Sequence, residues 1–322
     1  METAPIHWPQ MGCGTWAWGN QLLWGYNPQM DAELSAVFEY CLQGGMTLFD
    51  TGDSYGTGRL EGRSESLLGQ FAQGFPQQSF YLATKLAPYP WRWTPQSLVK
   101  AGEASAQRLG RPIDLVQLHW STANYAPWQE RPLLEGLARL CQQEQAKAVG
   151  LSNFGPRRLA FAHQYLQERG IAIASLQIQY SLLCPEPLTS SDLRGLCRDW
   201  GIKIIAYSPL TLGLLTGKYQ PEGPYPPGLR NLLFRQLLPS LKPLLAALGA
   251  VAQSRGKTVA QVALNWCIQK DTLPIPGAKT LAQAQENSGA LGWSLDAGEL
   301  AELDGIVRKL SRRMVQNIFQ SG

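Results

Sequence analysis

Four residues of this chain have the chemistry to hand a proton to a carbonyl. Asp50 closes the apolar run MTLFD, Lys85 closes FYLATK, and His119 closes LVQLHW with Trp120 beside it; Tyr55 follows Asp50 in the next loop. A lone aspartate at such a place is usually a cap or turn former, and a lone tyrosine usually packs. Only the set is informative. Lys85 interrupts an apolar run, and an ammonium buried without a partner is costly, so the Asp50 carboxylate is its natural counter-charge.

Four further runs stop on polar or small residues in the same way: AVGLSN at Ser152 and Asn153, SLQ at Gln177, KIIAYS at Tyr207 and Ser208, and TLPIPG at Gly277. With MGCGT (residues 11–15) as the first strand there are eight, the number that closes a barrel of parallel strands, whose C-terminal ends converge on the active-site face. Between the strands lie helical periodicities. In DAELSAVFEYCLQGG the apolar positions Leu34, Val37, Phe38, Cys41 and Leu42 share a face, and Gly44 is the expected left-handed stop. Thr94 and Pro95 open the next long helix and Gly110 closes it, while Gly170, Gly201 and Gly256 end later ones. An open doubly wound sheet shows the same alternation, but it would gather its ligand at one switch point, whereas here polar residues follow nearly every strand. The expected fold is a single (β/α)8 barrel with loop insertions and a C-terminal tail over its mouth, one domain over residues 1–322. GPYPPG (residues 223–228) reads as a surface loop within it.

Composition narrows the class. The chain has 322 residues, 44% hydrophobic and 16% charged, with a net charge of +4 and no dense Lys/Arg run, so no nucleic-acid partner is expected. The pI is 8.7. No Lys or Arg precedes Arg59, no secretory or transit signal is expected, and no apolar run reaches the ~18 residues of a membrane span. Six scattered cysteines and three histidines offer no metal or disulfide spacing; buried reduced thiols and a cytoplasmic location are expected. Two motifs mislead. GCGTWA matches G-x-G-x-x-A, but Trp16 is bulky where a helix must approach; GLLTGKY misses the phosphate-loop spacing and has Tyr219 where a magnesium-binding hydroxyl is needed. Of eleven tryptophans, Trp16, Trp18, Trp24, Trp91, Trp93 and Trp128 fall in loops, where aromatics commonly line a pocket.

GTW, DTGDSYG, ATK, LHW, GLSN, Q-x-x-Y, AYSPL and IPGAKTLAQAQEN, in this order, resemble the aldo-keto reductase superfamily over almost the whole chain. The resemblance implies that Tyr55 is the proton donor, with Asp50, Lys85 and His119 completing a tetrad. An ammonium ~4 Å from a phenol, at an effective dielectric of ~20, is worth up to ~4 kcal/mol and would draw the phenol below its usual value of about 10. The resemblance also implies NADP(H) as cofactor. Ser152, Asn153 and Gln177 would grip its carboxamide, Tyr207 would stack on the nicotinamide, and Thr15 and Trp16 would lie beside it. The loop carrying Ser208, Pro209, Leu210, Gly213, Leu215 and Lys218 would follow the diphosphate. Gly277, Lys279, Gln283, Glu286 and Asn287 would surround the adenosine end, with Lys279 on the 2′-phosphate.

The segments WGNQLLWGYNPQMD, DSYGTGRLEG, PYPWRWT, LHWSTANYAP, LLFRQLLP and QNIFQ are similar to plant-type pyridoxal reductases. They imply a small-molecule aldehyde as partner, pyridoxal above all, with Trp24, Trp93 and Trp120 as walls and Arg235 and Phe319 as a rim. A broad reductase of small carbonyls such as methylglyoxal is the alternative, and an NADPH-sensing subunit like those of potassium channels is one of another class.

Overall fold

The computed structural model describes residues 6–58, 62–189, 192–228 and 230–321, so Arg59, Leu60 and Glu61 of the DSYGTGRLEG segment lie outside the described residues. Eight strands pair in parallel and in chain order: β1 (Cys13–Gly14), β2 (Leu48–Asp50), β3 (Tyr81–Leu86), β4 (Ile113–Leu118), β5 (Ala146–Ser152), β6 (Ile173–Gln179), β7 (Lys203–Tyr207) and β8 (Leu273–Pro274). The sheet closes on itself. Gly12 N–H donates to the Pro274 carbonyl at 3.0 Å and Gly14 N–H to the Pro276 carbonyl at 3.1 Å, and Gly14 bridges Gly277. An open sheet is thereby excluded, because both of its edges are paired with each other.

The seam explains the first of the misleading motifs. A Cβ on Gly12 would lie 2.6 Å from the Leu48 carbonyl oxygen, and one on Gly14 would lie 2.8 Å from that of Ile275. The two glycines let β1 slip between its neighbours. Pro274 and Pro276 have no N–H to give, which keeps β8 short. β6 runs two residues past Gln177, to Gln179, further than its apolar run suggests.

Among the described residues ten main helices cover the barrel: α1 (Asp31–Gln43), α2 (Arg63–Ala72), α3 (Pro95–Leu109), α4 (Pro127–Gln142), α5 (Pro156–Gln167), α6 (Leu193–Asp199), α7 (Arg230–Arg255), α8 (Val259–Gln269), α9 (Leu281–Ser288) and α10 (Ala297–Lys309). Thr94 caps α3 by accepting from Ser97 N–H, and Gly110 ends it with φ +69°. The end of α1 departs from expectation by one residue. Gly44 stays near helical with φ −79° and bonds back to Tyr40, and Gly45 with φ +81° makes the left-handed turn.

Leu48, Ala83, Leu115, Ile205, Leu273 and Ile275 pack inside the barrel, and a larger apolar layer fills the space between strands and helices. α7 is long and apolar enough, at 26 residues and mean hydropathy 1.2, to pass for a membrane span by composition. In this fold it buries Phe234, Leu238, Leu241, Leu244 and Leu248 completely, each contributing about 1.5–3 kcal/mol. All six cysteines are free, and five are buried.

Candidate active site

Three strand ends and the loop after β2 bring Asp50, Tyr55, Lys85 and His119 to one floor. Asp50 ends β2, Lys85 is the penultimate residue of β3, and His119 follows β4 directly. Lys85 Nζ is ion-paired with Asp50 Oδ1 and donates to the Thr51 carbonyl at 2.6 Å, with both side chains almost fully buried. Its ammonium lies 4.8 Å from the centre of the Tyr55 ring. Tyr55 and His119 meet edge to face with ring centres 5.8 Å apart. The His119 Nδ1 faces the Ser54 hydroxyl at 3.5 Å.

Electrostatics here follow burial first. Removal from water raises the Tyr55 phenol, and Lys85 lowers it by less, so it stays above its ordinary value. This corrects the expectation that the ammonium would make Tyr55 more acidic. For Lys85, burial is the largest single influence and lowers it, but the Asp50 charge and Tyr55 together outweigh burial and hold it raised and cationic. Burial, then the Lys85 charge, push His119 well below the usual imidazole range, so it is neutral near pH 7.

Above this floor opens a cavity of ≈ 930 Å³, at the upper end of the ~300–1,000 Å³ usual for ligand sites. Its walls carry Thr15 and Trp16 after β1, Ser152 and Asn153 at β5, Gln177 on β6 and Tyr207 at β7. Ser208, Pro209, Leu210, Gly213 and Lys218 continue it along the β7 loop, and Gly277, Lys279, Gln283, Glu286 and Asn287 along the segment after β8. Leu215 does not belong. Positive φ at Thr211, Leu212 and Gly213 twists the loop, and the Leu215 side chain ends fully buried in the core. Asn153 and Ser208 also hold left-handed φ, 60° and 52°, a cost that is usually borne at working sites.

Asn153 is held from several sides. It donates to the His119 carbonyl at 3.1 Å and accepts from the Tyr207 hydroxyl at 2.8 Å. That hydroxyl accepts in turn from Asn317 Nδ2 at 2.7 Å, and Ser321 N–H donates to the Asn153 carbonyl at 3.0 Å. The tail thus lies across the mouth.

The far end of the cavity is cationic. Lys218, Lys279 and Arg230 all reach it, and Arg230 was not expected from the sequence. Burial, then the Arg230 and Lys218 charges, lower Lys279. Arg230 stacks on Trp24 at 4.8 Å, Lys279 donates to the Trp24 carbonyl at 2.9 Å, and Arg230 Nε is buried with no partner among the described residues.

The aromatic residues sort differently from expectation. Trp24 lines the cavity at this cationic end rather than beside the floor. Trp120 and Phe319 stack at 4.3 Å, and the Trp120 ring is 4.9 Å from His119, so these two wall the reacting end. Trp93 is outside the cavity and 63% exposed. The neighbouring Arg92 is the one that turns inward, to pair with Asp53. Arg235 is also outside, bonded to Asn231 and stacked on Tyr225. Trp18 is a core residue tied to the Ala278 carbonyl, and Trp91 and Trp128 are exposed.

Fold and site together define a barrel oxidoreductase. The chain belongs to the aldo/keto reductase family, whose signature matches residues 10–308. It is 49% identical over 329 residues to the chloroplastic pyridoxal reductase of Arabidopsis thaliana, covering 100% of this chain and 89% of that protein. Among solved structures it resembles a glycerol dehydrogenase from Gluconobacter oxydans, with TM-score 0.80, 25% identity, and 99% and 98% of the two chains covered. An aldo-keto reductase from Klebsiella pneumoniae in complex with NADPH gives TM-score 0.71 at 25% identity, covering 97% of this chain and 95% of that one.

Proposed function

We propose that this protein reduces an aldehyde to an alcohol with NADPH, and that the aldehyde is pyridoxal, yielding pyridoxine. The convergence of Tyr55, the Lys85–Asp50 pair and neutral His119 on the cavity floor carries the reading. The cavity fits the cofactor: a cluster of Lys218, Arg230 and Lys279 with an orphaned Arg230 Nε calls for a phosphorylated ligand at the end away from Tyr55. NADPH, when bound, supplies the hydride to the carbonyl carbon. Tyr55 gives its proton to the carbonyl oxygen, aided by the ammonium under its ring. Asp50 keeps that ammonium charged and aimed, and His119, in the neutral tautomer whose Nδ1 faces the Ser54 hydroxyl as acceptor, offers its Nε2–H to the same oxygen.

Two observations support pyridoxal: the Trp120–Phe319 pair is a flat wall beside His119, suited to an aromatic ring, and the Arabidopsis relative is similar throughout. The test is NADPH consumption by purified protein with pyridoxal, methylglyoxal and nitrobenzaldehyde. Pyridoxal should give the highest kcat/KM. Comparable values for methylglyoxal would replace this reading with that of a broad carbonyl reductase.

A further inference from the structure

Asp50 has two carboxylate oxygens, and only one of them serves Lys85. The other, Oδ2, accepts from Gln117 Nε2 at 3.0 Å and from Gln177 Nε2 at 2.8 Å. A carboxylate only accepts, so both glutamines must turn their NH₂ ends toward it. Gln117 Oε1 is then left to accept the remaining N–H of Gln177, at 3.3 Å. Asp50, Gln117 and Gln177 come from β2, β4 and β6, the alternate strands that supply one interior layer of a barrel. Two residues earlier on the first two of these strands are Leu48 and Leu115, both fully buried. An aliphatic side chain would fill the space of Gln117 but would leave Asp50 Oδ2 with Gln177 alone. Gln117 is fully buried and absent from the cavity wall, so it does not touch a substrate.

We propose that Gln117 is a positioning residue for the reduction, holding Asp50 by the oxygen that Lys85 does not use. The carboxylate is thereby locked in the orientation that sets the ammonium beneath the Tyr55 ring. Gln177 is not a substitute, because it faces the cavity, and a ligand that draws its amide away takes a hydrogen bond from Asp50. Gln117 has no such competitor. The proposal rests on the reductase reading above.

The experiment places Gln117→Leu and Gln117→Met in the wild type and in Asp50→Ala, with Asp50→Val as second background should the alanine variant not fold. In the wild type, kcat should fall about 10- to 100-fold, the loss of one hydrogen bond to a buried charge. KM for the aldehyde and the NADPH Kd from tryptophan quenching should move less than about threefold, and the protein should melt well above the assay temperature. In the Asp50 background the same substitution should change the single-turnover rate less than about twofold, since nothing remains to be aimed. The full loss recurring in that background, or a wild-type kcat that the substitution leaves intact, overturns the proposal. A parent protein that binds NADPH but turns over no aldehyde refutes the reductase reading itself, and the proposal with it.

Discussion

Tyr55 sits close enough to Lys85 for its ring centre to be 4.8 Å from the ammonium, yet removal from water keeps its phenol above the ordinary value. A proton donor must be protonated, so reduction should run at a constant kcat across neutral pH. Oxidation of the alcohol needs the phenolate and should rise only in alkali. Profiles of kcat against pH in the two directions check this, and an oxidation rate already at its plateau near pH 7 would contradict it. Tyr55→Phe should lower kcat by ~10²–10⁴ while leaving NADPH binding intact, and adding Lys85→Met should cost little more, because the two act as a unit. At the other end of the cavity, Lys279→Ala or Arg230→Ala should each weaken NADPH roughly 10- to 150-fold, and NADH far less, in fluorescence titrations. Lys85 could be found in the sequence because a charge inside an apolar run stands out. Gln117 interrupts LVQLHW in the same way, but an amide is a weaker signal than a charge, and its partners lie on strands far away in sequence. Arg230 carries no local signal at all. It becomes a site residue only because the loop after β7 brings it onto Trp24.

The elements hold these residues through their loops. Asp53, two residues before Tyr55, pairs with Arg92 of the loop after β3 and accepts from Ala87 N–H at 3.1 Å, while Gln129 of α4 ties down the Tyr89 and Arg92 carbonyls. The β2 and β3 loops are thus fastened to each other and to α4. Burial raises Asp53 from 3.8 to about 6, more than the Arg92 charge and hydrogen bond lower it, with Glu65 adding a further push upward. A folded-state value above the unfolded one means that the folded protein binds the proton more tightly. The contribution of Asp53 is therefore greatest below about pH 4 and is lost as the pH rises through about 6. Urea melts of wild type and Asp53→Asn should show the wild type gaining on the variant by on the order of 3 kcal/mol between pH 7.5 and 4. A difference flat in pH would mean that folding does not shift the carboxyl. Helix starts and stops such as Thr94 and Gly110 were legible because capping is local chemistry, and the Gly44–Gly45 choice was not, since either glycine can make the turn. Which way PYPWRWT points was hidden for a different reason. Arg92 faces in and Trp93 out because Asp53 waits on another strand's loop.

Over the whole molecule the closed barrel was legible from eight strands alternating with helices and from the polar residues after nearly every strand, whereas the contacts that close it were not, because GCG and PIP reveal their complementarity only when superposed. The seam of Gly12 and Gly14 against Pro274 and Pro276 is thin, because the two prolines have no N–H to give it. Native-state hydrogen exchange should therefore find the Gly12 and Gly14 amides opening at lower free energy than those of Val116 and Val149 in mid-sheet. NADPH should slow them, since Thr15 and Gly277 flank the seam and line the cavity. Equal protection at all four sites would show the seam to be as firm as the rest. The same seam bears on how the protein is made. At ~5–20 residues per second, β1 leaves the ribosome roughly 15–50 s before its partner strand does. For that interval any sheet built on β1 has its first edge bare, the kind of edge that recruits other chains. Gly277 and Lys279 emerge only with the closing strand, so the finished barrel and the finished cavity wall are born in one event.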